Sequence, residues 1–178
     1  AYFPDSEIGA VFANAGTLFH KTILKSSIEE WATTLNVNVI GVVNTIKAFL
    51  PKMQNSEASS IFCTTASVGG LVRGDGGTAS YQASKHAVVS LTESLSFEIA
   101  SRSPQIRVHV LCPCIVESAL PKNSKTNAQE ESGEFDANDI HPSSPPTNDF
   151  AMTTESHAQQ VFDLIAENKF YLLTDNIR

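Results

Sequence analysis

Tyr81-Gln82-Ala83-Ser84-Lys85 sets a phenol and an ammonium four residues apart. On a helix that spacing stacks the two side chains on one face. A phenol ordinarily titrates near ~10, too high for acid–base work at neutral pH. A neighbouring ammonium favours the phenolate and lowers that value, toward the range in which general acid–base catalysis is efficient. The pair therefore reads as an acid–base couple, with Tyr81 as the acid/base and Lys85 as its tuner.

The elements that must hold this pair alternate between strand and helix. Ile8–Asn14 is an apolar run that ends in Asn14-Ala15-Gly16, a buried strand entering a loop. Ser27-Ile28-Glu29-Glu30 is a capping box. It opens a helix expected to reach about Met53, with Pro51 loosening its last turn and Asn36, Asn38, Gly41 and Asn44 as poor helix formers inside it. Ser60–Thr65 reads as a second strand, Val68–Ser80 as a Gly-rich loop and Tyr81–Ala100 as a helix. Arg107–Cys112 reads as a third strand stopped by Pro113, Thr154–Asn168 as a last helix and Phe170–Leu173 as a last strand. Residues 122–150 are polar and Pro-containing, too poor in large apolar groups to pack, and read as a flexible loop. The alternation predicts one α/β domain over residues 1–178 with a parallel sheet.

Composition narrows the partners. The 178 residues carry a net charge of −7 without a basic cluster, which argues against nucleic acid and anionic membranes. No apolar run approaches the ~18 residues of a membrane span. Ala1–Gly9 lacks the basic start of a secretory leader. Three cysteines without framework spacing fit a reducing compartment, and a cytoplasmic location is expected. The chain begins without Met, which suggests processing or a longer parent.

Asn14-Ala15-Gly16 after a strand, Asn38 within a long helix, Ala66-Ser67 after the next strand and Tyr81-x-x-x-Lys85 occur in one order. That order resembles the short-chain dehydrogenase/reductase family, and Ile106–Ser118 resembles the family's strand, Pro-Gly turn and Val-x-Thr segment. The resemblance runs from about Ile8 to Leu120 and more weakly from Thr154 to Leu173. It implies a Rossmann-like three-layer α/β/α fold and an NAD- or NADP-dependent oxidoreductase acting between a secondary alcohol and a ketone. It also implies roles. Tyr81 exchanges the proton, and Lys85 tunes Tyr81 and binds the nicotinamide ribose. Ser67 orients the substrate oxygen, and Asn38 holds a water in a proton relay. Asn14, Ala15 and Gly16 border the adenosine side; Pro113, Val116 and Ser118 flank the nicotinamide. The polar segment 122–150 would take the place of a substrate lid, and the long helices imply a homodimer or homotetramer.

Three departures from the family pattern bear on function. Cys114 stands where the family has Gly after Pro; its side chain either crowds the nicotinamide or is tolerated if φ stays negative. Ser118 replaces Thr and keeps the hydroxyl. The Gly-rich turn that cradles the pyrophosphate is not found, so the chain is expected to hold strands four onward of a doubly wound sheet. Its first strand would then be an exposed edge, and cofactor binding by this chain alone would be poor. A non-catalytic relative acting as a structural or pairing partner is the rival reading, and lyase or isomerase chemistry with the same pair is a third. Other constellations are weaker. Gly74-Asp75-Gly76-Gly77 lacks the residues of a phosphate-binding loop. Ser67, His86 and Asp75 lack a nucleophile elbow. His109, Cys112 and Cys114 lack a fourth zinc ligand, and residues 109 and 112 point to opposite faces of a strand.

Overall fold

The computed structural model describes residues 7–72, 76–120 and 151–174. The flexible-loop reading of 122–150 and the readings that involve Gly74 and Asp75 lie outside the described residues.

Four strands form one parallel sheet in the order β1-β2-β3-β4: Ala10–Ala13, Ser60–Thr65, Ile106–Pro113 and Tyr171–Thr174. Between β1 and β2 run α1 (Ile28–Leu35), a π-helical turn (Asn36–Ile40) and α2 (Gly41–Gln54). Between β2 and β3 runs α3 (Ala79–Ala100), and between β3 and β4 runs α4 (Thr154–Ala166). Parallel neighbours need such crossovers, because a tight turn can only reverse a strand.

Side-chain alternation along the strands divides the core in two. Val11, Ala13, Phe62, Val110 and Cys112 pack under α2 and α3 with Val42, Leu50, Met53, Val88, Leu95 and Ile99. On the opposite face Cys63, Leu111 and Leu172 pack under α4 with Val161 and Ile165. Helices on both faces make the three-layer α/β/α arrangement. The sheet is sequential from β1 to β4, as expected for the later strands of a doubly wound fold. Among the described residues no strand pairs with the outer edge of β1, where Phe12 is 40% exposed.

Local chemistry sets the element ends. Ser27 Oγ accepts from Glu30 N–H at 3.2 Å, and the Glu30 carboxylate accepts from Ser27 N–H at 2.8 Å, closing the capping box. The same carboxylate meets Lys21 Nζ at 2.7 Å. At the end of α4, Asn168 takes φ 55°, the left-handed conformation that stops a helix. The long helix from Ser27 departs from expectation midway: it passes through five π residues where two asparagines, weak helix formers, occur. Cys114 does not carry a positive φ, so the turn after β3 accepts its side chain without backbone strain.

Candidate active site

The C-terminal ends of β1, β2 and β3 converge on the first turns of α3. Ser67 follows β2 after Ala66 and opens a short 3-10 turn, Val68–Gly70, in which its Oγ accepts from Gly69 N–H at 3.1 Å. That turn lies on α3 with no room to spare. A Cβ on Gly70 would stand 2.7 Å from the Lys85 carbonyl oxygen, so only glycine allows the two backbones to approach this closely. The Ser67 hydroxyl is near enough to the Tyr81 phenol to favour its ionised form.

Lys85 is almost wholly buried, at 3% exposure. Its Nζ donates to the Thr65 carbonyl at 2.7 Å and lies 5.5 Å from the centroid of the Tyr81 ring. Burial holds Lys85 down at about 8, against an ordinary 10.5. Burial also raises the Tyr81 phenol above its ordinary range, although the Ser67 hydroxyl pulls the other way. This corrects the sequence reading, in which Lys85 lowers the phenol. The ammonium is drawn to the Thr65 carbonyl at the end of β2 and lies over the ring, and burial is the largest influence on both groups. Tyr81 is therefore a neutral proton donor at neutral pH, and Lys85 loses its proton more readily than an exposed lysine.

That depression has a sign that can be measured. Between about 8 and 10.5 the unfolded chain binds the Lys85 proton and the folded chain does not, so this contribution to stability rises with pH. Raised Tyr81, Cys63 and Cys112 act oppositely at the alkaline end. Comparison with Lys85→Met isolates the lysine. From pH 8 upward, wild type is expected to gain on the variant in urea melts, with a slope of up to about 1.4 kcal/mol per pH unit. Parallel curves would show that Lys85 is not perturbed.

Asn38 comes from the π turn and is fully buried. Its Oδ1 accepts from Thr17 N–H at 2.8 Å, and its Nδ2 donates to the Thr17 carbonyl at 3.0 Å and to Ser84 Oγ at 2.8 Å. Both amide hydrogens are thus committed to protein. A relay water held by this side chain can use only the remaining lone pair of Oδ1. A π turn bulges a residue out of helical register, which is how Asn38 leaves the α1–α2 axis to meet the loop after β1.

Asn14, Ala15 and Gly16 form that loop and are exposed. A Cβ on Gly16 would stand 3.5 Å from both Asn38 Oδ1 and Lys85 Nζ, so this glycine keeps a polar approach to the lysine open. Asn14 and Ala15 also line a groove of about 140 Å³ with Phe12, Gly41 and Thr45. Cys112, near the end of β3, is close enough to Lys85 to interact with it electrostatically. Beyond it Pro113 pairs with Thr174, Val116 bridges to Met152, and the exposed Ser118 Oγ accepts from Leu120 N–H at 3.4 Å.

A family model described as short chain dehydrogenase matches residues 5–129. The chain belongs to the short-chain dehydrogenase family. Dehydrogenase/reductase SDR family member 6 of Danio rerio is 34% identical over 111 residues, 62% of this chain and 44% of that protein. A short chain dehydrogenase/reductase from Burkholderia phymatum, solved in complex with NAD, has a TM-score of 0.78 at 28% identity, over 94% of this chain and 61% of its own. An alcohol dehydrogenase from Thermococcus sibiricus, complexed with 5-hydroxy-NADP, shares the fold with a TM-score of 0.71 at 21% identity, over 96% of this chain and 64% of its own. The chain thus spans between 44% and 64% of the length of these short-chain dehydrogenases.

Some members of the other constellations lie among the described residues. His86 is exposed, and its Nδ1 meets the Gln82 carbonyl at 2.9 Å. His109 meets the Lys169 carbonyl on the α4 face, whereas Cys112 packs on the α3 face. Thr17, Ser84, Gly70 and the Thr65 carbonyl were not legible as site residues. Only Ser84, three residues after Tyr81 on a helix, carried a sequence signal.

Proposed function

We propose that this chain carries the acid–base centre of an NAD- or NADP-dependent oxidoreductase that interconverts a secondary alcohol and a ketone. The observation that carries this reading is the cluster of Tyr81, the nearby Ser67 hydroxyl that favours its ionised form, and the buried Lys85, whose Nζ lies 5.5 Å from the Tyr81 ring centroid.

The residues present fit a nicotinamide nucleotide. Lys85 spends one of its three N–H donors on Thr65, which leaves donors for a sugar diol. Gly16 leaves the approach to that ammonium clear of a side chain, and Asn14 and Ala15 line the adjoining groove. Pro113, Val116 and Ser118 would flank the nicotinamide. The cofactor supplies or takes a hydride. Tyr81, kept neutral by burial, donates its phenol proton to the substrate oxygen in reduction and accepts it back in oxidation. Ser67 accepts from Gly69 N–H and turns its own hydrogen toward Tyr81 or toward the substrate oxygen, which orients that oxygen. Burial keeps the resting phenol neutral, and Lys85, when protonated, would offset part of the cost of the phenolate left after transfer.

Absorbance of reduced nicotinamide tests this, with panels of secondary alcohols and ketones and both cofactors. Turnover that depends on a ketone or alcohol is expected. Bound cofactor with lyase or isomerase turnover but no redox change would overturn it.

A second reading, a non-catalytic relative that pairs with another polypeptide, draws on the open edge of β1 with its exposed Phe12. Exposed Ile40, Phe49 and Phe97 on the long helices support a homodimer or homotetramer under either reading.

A further inference from the structure

We infer that Ser84, which takes no part in the proposed proton transfer, is a positioning residue that ties Tyr81 to the loop after β1 by way of Asn38. The inference rests on the reading of Tyr81 as the acid/base.

Four hydrogen bonds make an unbroken chain. Thr17 N–H donates to Asn38 Oδ1 at 2.8 Å, and Asn38 Nδ2 returns a bond to the Thr17 carbonyl at 3.0 Å. Asn38 Nδ2 also donates to Ser84 Oγ at 2.8 Å, and Ser84 Oγ donates to the Tyr81 carbonyl at 2.6 Å. The direction of every bond is forced. A flipped Asn38 amide would face Thr17 N–H with a second donor, so Oδ1 must lie there. Ser84 oxygen must then accept from Nδ2, and its single hydrogen has only the Tyr81 carbonyl to go to.

Asn38 and Ser84 are both fully buried, so water cannot replace either link. Ser84 reaches the carbonyl of Tyr81 and not its phenol, so it acts on where the tyrosine stands rather than on the proton. The far end of the chain is Thr17, next to Gly16, whose surroundings include both Asn38 Oδ1 and Lys85 Nζ. Displacement of the loop that borders the proposed nucleotide site is therefore felt at the backbone of the proposed acid.

The test is read on the chain without cofactor. In Ser84→Ala, hydrogen exchange at Thr17 N–H is expected to rise about tenfold or more, and the titration midpoint of the Tyr81 ring carbon to shift. Thr92→Val is the control. Thr92 is equally buried in α3 and bonded to Thr64 at 2.7 Å and to the Val88 carbonyl at 2.6 Å. Its loss should lower the melting temperature and leave both Thr17 exchange and the Tyr81 midpoint alone. Unchanged Thr17 exchange in Ser84→Ala, or an equal change in Thr92→Val, would overturn the inference. So would solvent-rate exchange of the Asn38 side-chain amide protons in wild type, a measurement that stands even if Ser84→Ala fails to fold. Absence of turnover in every assay would sink the proposed reaction and leave these outcomes unaffected.

Discussion

Tyr81→Phe is expected to lower kcat by about 10²–10⁴-fold in any form of the protein that turns over, with cofactor affinity nearly unchanged. The substitution removes one oxygen and keeps the ring. Lys85 therefore retains both of its supports, the Thr65 carbonyl at 2.7 Å and the aromatic face 5.5 Å away. A bound nucleotide would still meet the same ammonium and the same Asn14-Ala15-Gly16 loop. What disappears is the transferable proton, and Ser67 cannot replace it, because an aliphatic hydroxyl is a far weaker acid than a phenol. Steady-state kinetics combined with fluorescence titration of reduced cofactor checks both halves of the expectation. Equal losses of turnover and binding would mark Tyr81 as a structural residue.

The second large effect concerns the 178-residue chain measured by itself. Calorimetry with NAD and with NADP is expected to show binding no tighter than about 1 mM, roughly 4 kcal/mol weaker than a micromolar site. In open α/β sheets the dinucleotide lies in the crevice at the point where strand order reverses. Here the candidate crevice borders β1, whose outer edge has no partner strand among the described residues. The groove beside it is lined by residues of β1, the following loop and α2. Among the described residues no Gly-rich turn opens a helix N-terminus beside β1 to take the pyrophosphate charge. Micromolar heats with either cofactor would refute this and would mean that the nucleotide is held by the lysine side of the site alone.

Much of the fold was legible because it rests on local chemistry. Ser60–Thr65 is a strand over the span its apolar, β-branched run indicates. The Ser27–Glu30 capping box forms as written, and α3 begins two residues before Tyr81 because Ala79 and Ser80 extend it backward without penalty. Juxtaposition of Tyr81 with Ser67 and Lys85 also followed from motif order. What did not follow were effects decided by surroundings. The phenol's shift depends on how dry its pocket is, and burial reverses the direction that helix spacing alone suggests. The partners of Asn38 lie 21 and 46 positions away, a distance no pattern of period 3.6 can show. The need for glycine at position 70 comes from a backbone met across space, at Lys85.

The π turn at Asn36–Ile40 makes the two ends of the long crossover interdependent. The turn takes up one residue beyond ordinary winding. Deleting one residue within it would restore an α-helix and leave α1 and α2 in their present phase. Val42, Leu50 and Met53 would stay inside the core, and Asn38 would lose the bulge that carries it to the loop after β1. Point substitutions can therefore vary this segment, whereas a shortened chain forfeits the clamp on Thr17. Length, rather than composition, is the constraint that this stretch transmits to its descendants.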